Sequence, residues 1–151
     1  MKRISIIVPV YYNQDNLLPL YVDLKEKVLM KLNMEYEIIF VDDGSTDNSG
    51  LLLEQWCNKV PDIFQVIHSD RDRGPGGARN LGIAKATGSY IGFMDCDDII
   101  DRTMYEKLYN KAAEAGYRHG KLRKLVEELG KPVTVLGRHR HDRAPRQRLG
   151  I

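Results

Sequence analysis

The sequence predicts an α/β domain in which an open, mainly parallel sheet carries helices on both faces. Apolar, β-branched segments of strand length alternate with longer segments in which apolar residues recur every three or four positions, in the order βαβαβαβα. Each strand-like segment also ends in a polar or glycine-rich loop. Ligands of such sheets bind beyond the carboxyl ends of the strands, so the loops locate the expected site.

Two strands and two helices are predicted in the first half of the body. Residues 4–10 are apolar and β-branched, which indicates a central strand buried on both faces. Asn16 can cap the helix that follows, whose leucines form one buried stripe. A second strand over residues 36–41 ends at two aspartates, and Ser45 or Thr46 can cap the next helix.

The second half of the body repeats the alternation. Residues 64–67 form a short predicted strand, and residues 68–77 form the loop that leads into a helix ended by Gly88. Residues 90–94 form a fourth apolar strand, and the helix after it ends at Gly116. Later sheet elements do not follow, so we expect a sheet that is truncated after its acidic motif.

Length and composition indicate one soluble domain. The chain has 151 residues, of which 42% are hydrophobic and 29% charged, within the ordinary globular range. No apolar run is long enough to span a bilayer. Two cysteines do not form a disulfide framework, which favours a reducing compartment. We therefore expect a cytoplasmic protein, and a peripheral place at the inner face of the membrane stays open.

Charge divides the chain into two expected parts. Residues 1–117 hold 13 basic and 18 acidic side chains, whereas residues 118–151 hold 10 and 3. A helix over residues 121–129 and a strand over residues 132–136 are predicted in this tail. Four interpretations of the tail stay open: a truncated or out-of-frame terminus, a genuine short variant, a basic binding arm, and a histidine-based metal site. Because the tail has no interleaved aromatic residues, no nucleic-acid partner is expected.

An Asp-x-Asp motif follows the fourth predicted strand. Strand alternation would point Asp95 and Asp97 the same way, and clustered carboxylates favour a divalent cation with hard oxygen ligands. A Mg²⁺ or Mn²⁺ site shared with a ligand phosphate is therefore one hypothesis. The alternative is a solvated acidic turn with a helix cap. Cys96 is expected to be a spacer, since thiolates prefer softer metals.

Asp42 and Asp43 end the second predicted strand, where an acidic side chain can accept hydrogen bonds from a ribose. The first loop lacks the G-x-G-x-x-G glycines, which disfavours a nicotinamide or flavin cofactor. A simple turn with a helix cap is the alternative for this segment. Tyr11 or Tyr12 could stack on a base, or both could serve only in packing.

The loop before the third helix is cationic and rich in glycine. Gly74, Gly76 and Gly77 with Arg73 and Arg79 suit the close approach of a diphosphate. Alternatively, Arg79 forms a structural ion pair with the acidic cluster.

Four motifs in this order resemble glycosyltransferase family 2: Val8-Pro9-Val10-Tyr11-Tyr12-Asn13, Val41-Asp42-Asp43-Gly44-Ser45-Thr46-Asp47, Gly74 with Ala78-Arg79-Asn80-Leu81-Gly82 and Gly88, and Phe93-Met94-Asp95-Cys96-Asp97-Asp98. The resemblance covers residues 1–117. It implies the nucleotide-sugar-binding half of a GT-A fold.

The resemblance also implies roles for single residues. Asp43 would bind the base, most often uracil, beside a pocket lined by the loop from Pro9 through Val10 and Tyr11 to Tyr12. Asp95 would lie near the ribose or the sugar and Asp97 would ligate the metal, with Arg79 facing the phosphates or the donor sugar. Asp42 is retained as a further candidate for nucleotide-sugar binding.

The implied reaction is an inverting transfer from a nucleotide-diphosphate sugar, most simply a UDP-sugar, to a hydroxyl of a saccharide or lipid-linked acceptor, as in cell-surface polysaccharide synthesis. The step needs a carboxylate general base. In the family this base lies downstream of the resemblance, so no catalytic residue is assigned. The alternative is a non-catalytic nucleotide-sugar-binding fragment. An exposed sheet edge would favour homo-oligomer formation.

Overall fold

The computed structural model describes residues 3–29, 35–98 and 103–114, and within them four parallel strands carry helices on both faces. The strands are β1 (Arg3–Val10), β2 (Glu35–Asp42), β3 (Phe64–His68) and β4 (Tyr90–Phe93). The helices are α1 (Gln14–Asp23), continued by a π-helical segment (Leu24–Leu29), then α2 (Ser49–Lys59), α3 (Gly74–Lys85) and α4 (Met104–Glu114). The predicted fold class is confirmed. The predicted elements of the tail lie outside the described residues.

The sheet has the strand order β3-β2-β1-β4, so β1 is central as predicted. Ile4 of β1 lies opposite Tyr36 of β2 on one side and opposite Tyr90 of β4 on the other. The chain thus builds the sheet outward from β1 to β3 and then crosses to the other side of β1. Parallel sheets form their ligand crevice where the strand order reverses, which here is at the carboxyl ends of β1 and β4.

Both faces of the sheet are buried because the central strands are apolar at successive positions, and successive side chains point to opposite faces. Ile6 and Val8 belong to the core under α1, α2 and α4, whereas Ile7 belongs to the core under α3. Gly82 allows α3 to lie close to the sheet, since a Cβ there would be 2.4 Å from Cγ2 of Ile7. Within the described ranges, no helix combines the length and apolarity needed to cross a bilayer.

The starts of the first two helices differ from the prediction. α1 begins at Gln14, so Asn16 lies inside the helix and its side chain donates to Oδ1 of Asn13 at 3.0 Å. α2 begins at Ser49, and neither Ser45 nor Thr46 caps it. Both side chains instead form hydrogen bonds with the loop after β1. Tertiary contacts between two loops therefore override a local capping signal.

The bounds of α3 also differ from the prediction. The helix begins at Gly74, inside the segment predicted as a loop, with Pro75 in its first turn, where the missing N–H of proline costs no helical bond. It ends at Lys85, before Gly88. Gly88 lies against β1, where a Cβ would be 2.7 Å from the backbone N of Ser5. This glycine therefore serves strand packing and does not end the helix.

A buried carboxylate joins the strands at the amino-terminal end of the sheet. Glu37 on β2 is fully buried and accepts hydrogen bonds from Oγ of Ser5 at 2.5 Å, from the N–H of Thr87 at 2.7 Å and from Nε2 of Gln65 at 3.2 Å. Arg3 adds an ion pair at 3.4 Å. Burial alone would raise the pKa of Glu37, but these partners outweigh it and hold the pKa below its ordinary value. We refer to these five residues as the Glu37 network.

Candidate functional site

A cleft of about 380 Å³ opens at the carboxyl ends of β1, β2 and β4, where the topology predicts a site. This volume falls within the range of small-molecule sites. Its lining contains most of the predicted site residues together with several that were not predicted: Pro9, Val10, Tyr11, Asn13, Asp43, Asp72, Gly74, Pro75, Ala78, Asp95, Cys96 and Asp97. Tyr12, Asp42 and Arg79 were predicted to bind the ligand but lie beside the cleft.

Asp43 lies in the cleft and is only 3% exposed. Its N–H donates to the carbonyl oxygen of Val10 at 2.9 Å, and its carboxylate accepts the N–H of Arg73 at 3.0 Å. Burial raises the pKa of Asp43, as does the adjacent Asp72 carboxyl, although the Arg73 N–H opposes the shift. The result is a fixed, partly desolvated acceptor on the cleft wall.

Asp72 is a site residue that the sequence analysis did not select. It lines the cleft, and its Oδ1 accepts the N–H of Gly74 at 2.8 Å, at the start of α3. Burial raises the pKa of Tyr11, and the Asp72 carboxylate adds to the rise through its charge and a hydrogen bond. The segment was recognised as a site loop, but the sequence does not reveal which of its charged side chains turns inward.

Asp42 points away from the cleft although Asp43 points into it, because consecutive strand residues face opposite sides of a sheet. Its Oδ1 accepts the N–H of Ser45 at 3.1 Å, and its Oδ2 lies 3.1 Å from Nδ1 of His68. Nε2 of His68 lies 3.2 Å from a carboxylate oxygen of Glu54 on α2. Asp42 therefore fixes the turn after β2 and joins it to β3 and α2.

The two adjacent tyrosines have different environments. Tyr11 lines the cleft with 45% of its surface exposed, so its ring is available to a ligand. Tyr12 turns outward, and its hydroxyl lies 2.9 Å from Oγ1 of Thr46. The rings pack edge to face with their centroids 4.6 Å apart. Of the two stacking candidates, the structure places Tyr11 at the site.

Asp95 and Asp97 both line the cleft, but strand alternation is not the reason. β4 ends at Phe93, and the N–H of Asp98 donates to the carbonyl oxygen of Asp95 at 3.1 Å, which closes a turn. Sγ of Cys96 donates to the carbonyl oxygen of Pro9 at 3.3 Å. Burial and the two flanking aspartates raise the pKa of Cys96 to about 12, so the thiol stays protonated and joins the turn to β1.

Arg79 of α3 reaches the same turn from the side. Its Nη2 donates to Oδ1 of Asp95 at 2.7 Å, and its guanidinium lies 5.8 Å from the centre of the Phe93 ring. The ion pair that the sequence analysis left open as an alternative is therefore present. Nε of Arg79 is buried without a hydrogen-bond partner in the described part of the chain.

The carboxylates of the cleft suit a divalent cation only if a bound substrate supplies further oxygen ligands. Among the described residues, no three Asp, Glu, His or Cys side chains are close enough to hold a metal together. Asp95 and Asp97 supply carboxylate oxygens in one cleft, and Mg²⁺ commonly binds one or two carboxylates together with substrate phosphates. The two residues therefore fit a Mg²⁺ or Mn²⁺ ion that a diphosphate also ligates.

A comparison with protein families decides the affiliation of the chain. A family model described as Glycosyl transferase family 2 matches residues 5–121, which include most of β1, all of β2 through α4 and the whole cleft lining. The chain belongs to glycosyl transferase family 2. The resemblance inferred from four motifs is thereby confirmed.

Curated relatives of this family 2 chain are considerably longer. "Glycosyltransferase GlyG" from Streptococcus pneumoniae is 38% identical over 113 residues, which are 75% of this chain and 36% of the relative. "Poly(ribitol-phosphate) beta-glucosyltransferase" from Bacillus spizizenii is 36% identical over 135 residues, which are 88% of this chain and 21% of the relative. The chain thus spans about a third or less of the length of these two relatives.

A solved structure of the family shares the fold. TarS 1–349 from S. aureus, solved in complex with UDP-GlcNAc, is 29% identical and superposes with a TM-score of 0.61. The match covers 76% of this chain and 32% of that protein. The predicted GT-A fold is confirmed for the described part of the chain.

Proposed function

We propose that this family 2 chain forms the donor-binding part of a glycosyltransferase that transfers sugar from a nucleotide-diphosphate sugar to an acceptor hydroxyl. The observation that carries the proposal is the single cleft that joins a buried acceptor, Asp43, an exposed ring, Tyr11, and the carboxylates of Asp95 and Asp97. These groups match two parts of such a donor: a base, to which Asp43 can bond and on which Tyr11 can stack, and a diphosphate whose charge needs neutralisation.

The nucleoside would bind at the β1 and β2 end of the cleft. An ionised Asp43 can accept an N–H of the base, and the Tyr11 ring offers an apolar face for stacking. Uracil has one ring N–H between two carbonyls, and this N–H suits a carboxylate acceptor such as Asp43. TarS was solved with UDP-GlcNAc, which supports a UDP-sugar as the first donor to test.

The diphosphate would bind between the acidic turn and the start of α3. Asp97, together with Asp95, would hold Mg²⁺ or Mn²⁺, which when bound neutralises negative charge on the leaving nucleoside diphosphate. The dipole of α3 favours an anion near the start of this helix, although the N–H of Gly74 there already donates to Asp72 and Pro75 has none. Arg79 holds Asp95 in place and adds positive charge beside the phosphates.

The proposed transfer is inverting: the acceptor oxygen attacks the anomeric carbon, the bond from that carbon to the diphosphate oxygen breaks and releases the nucleoside diphosphate, and a carboxylate removes the acceptor's proton. The proposal assigns this base to the acceptor-binding part of the enzyme, which the relatives' additional length would supply. The competing candidate is a non-catalytic nucleotide-sugar-binding fragment. Sugar transfer from a UDP-sugar by the purified chain would eliminate that candidate.

Calorimetric titration of UDP into the protein tests the donor site. With Mn²⁺ present we expect binding that EDTA weakens, and Asp97→Ala should lower the Mn²⁺-dependent affinity at least about tenfold because a metal ligand is lost. Asp62→Ala is the matched control, since it removes an exposed carboxylate in the turn before β3. Binding that is equally strong with EDTA and in Asp97→Ala would refute the metal site. A folded wild-type chain that binds no UDP would refute the UDP donor.

The affinity for a UDP-sugar should also depend on pH through Asp43. Because the folded site raises the pKa of this carboxyl, its ionised form is lost at a higher pH than for an ordinary aspartate. Affinity should therefore be constant near neutral pH and fall as the pH drops through that raised pKa. Titrations at decreasing pH check this, with a UDP-sugar because its diphosphate diester does not titrate there. Asp43→Asn should bind weakly with a flat profile, and an unchanged profile in this variant would exclude Asp43 as the cause.

A further inference from the structure

The loop after β1 and the loop after β2 are joined by a set of hydrogen bonds beside the cleft. The N–H of Tyr12 donates to Oγ of Ser45 at 3.1 Å, and the Tyr12 hydroxyl lies 2.9 Å from Oγ1 of Thr46. The N–H of Asn13 donates to Oγ of Ser49 at 3.2 Å. We call these contacts between residues 12–13 and residues 45–49 the loop clasp. It brings together two loops that each supply one wall of the cleft.

The clasp holds an unusual backbone conformation. Tyr12 has a φ of +50°, in the left-handed region that bulky residues rarely adopt. Strain of this kind persists only where surrounding contacts fix it, and it is concentrated at functional sites. Tyr11 lines the cleft, whereas Tyr12 packs edge to face behind it.

We propose that Tyr12 is a positioning residue, which through its left-handed backbone and its bonds to Ser45 and Thr46 holds the Tyr11 ring in the cleft wall. Tyr12 lies outside the cleft lining, and its ring contacts that lining by packing edge to face against Tyr11. The inference rests on the proposed nucleotide site for its effect on binding, but not for its effect on the ring.

Binding of UDP measures the first consequence. Tyr12→Phe and Thr46→Val each remove the same hydroxyl contact, so each should lower UDP affinity about threefold to tenfold. The double variant should lose no more than either single variant. Thr46→Ser keeps the hydroxyl and should stay within about twofold of wild type. Tyr36→Phe, at the opposite end of β2, is the control for loss of a tyrosine hydroxyl.

Variant combinations and thermal stability distinguish positioning from a general structural role. In a Tyr11→Ala background, Tyr12→Phe should no longer change UDP affinity, because the ring through which it acts is absent. An undiminished effect in that background would overturn the proposal, as would additive losses in the Tyr12→Phe and Thr46→Val pair. A loss of thermal stability without a change in affinity would also overturn it.

Ring mobility in the free protein gives a test that does not depend on nucleotide binding. In protein labelled with ¹³C in its tyrosine rings, the Tyr11 signal, assigned from Tyr11→Phe, should show a lower order parameter in Tyr12→Phe and Thr46→Val. The order parameter should stay at the wild-type value in Thr46→Ser and Tyr36→Phe. If the wild-type protein binds no UDP, the proposed function fails, but the Tyr11 order parameter still tests whether the loop clasp holds the Tyr11 ring. An unchanged Tyr11 order parameter in both Tyr12→Phe and Thr46→Val would overturn the positioning role of Tyr12.

Discussion

Glu37→Gln is expected to lower the free energy of unfolding by about 2–4 kcal/mol, because one carboxylate oxygen that accepts buried donors becomes an NH₂ group facing them. The carboxylate accepts from Ser5, Thr87 and Gln65, and the side chain is fully buried. Gln is nearly the same size, so the loss reports hydrogen bonding and charge more than packing. Chemical denaturation of wild type and variant measures the difference.

Glu35→Gln is the matched control, since Glu35 is exposed on the same strand and should change stability by less than about 0.5 kcal/mol. The pH dependence gives an independent check. The pKa of Glu37 in the folded protein lies below the ordinary value of 4.5. The contribution of ionised Glu37 to the free energy of unfolding is therefore complete above pH 4.5 and is lost as the pH falls through the folded pKa. Wild type should therefore lose stability faster than Glu37→Gln on acidification. Equal acid sensitivity would contradict an ionised Glu37 in the folded state.

Gly82→Ala should destabilise the protein by about 1–3 kcal/mol, although alanine is the better helix former. The added Cβ would lie 2.4 Å from Cγ2 of Ile7, whose side chain is fully buried in the central strand and has no room to retreat. The helix α3 must therefore move away from the sheet. Because α3 also carries Arg79, the shift should weaken the proposed UDP binding. Thermal unfolding and UDP titration measure the two effects.

Two variants separate the clash from helix propensity. Ala84→Gly, at an exposed position of the same helix, reports the intrinsic cost of glycine there, about 1 kcal/mol. Ile7→Ala creates space below Gly82, so the double variant should be more stable than the sum of the two losses predicts. Strict additivity, or a stabilising Gly82→Ala, would show that α3 and β1 are not in this close contact.

The fold could be predicted because its signals are local and repeated. Apolar strand segments, helical leucine spacing and loop composition all indicate the same βαβαβαβα order, which the structure confirms. Helix ends were less predictable, since Ser45 and Thr46 bond to Tyr12 across two loops. The Glu37 network was not predicted, because a charged residue within a strand gives no sign that donors from other strands surround it.

The site was predictable in location and only partly in detail. The carboxyl ends of the strands indicated Asp43, Asp95 and Asp97, and all three line the cleft. The sequence did not show that Asp43 faces the cleft and that Asp42 faces away from it. The direction of each carboxylate depends on the residue at which the strand ends. The orientation of Asp72 depends on a loop conformation set by its bond to Gly74. Motifs therefore identify which loops form a site, whereas the side-chain directions come from tertiary contacts.

The central position of β1 has a consequence for the order of folding. Its partner β2 lies nearby in sequence, but its other partner, β4, is the last strand of the described chain to be synthesised. The unit from β1 to β3 can bury part of its core before β4 emerges, because nearby contacts cost less loop-closure entropy. The acidic turn after β4 completes the cleft, so a nascent chain gains the full set of cleft carboxylates only when this strand docks. A ligand that contacts both the β1 loop and this turn would then hold β4 in the sheet.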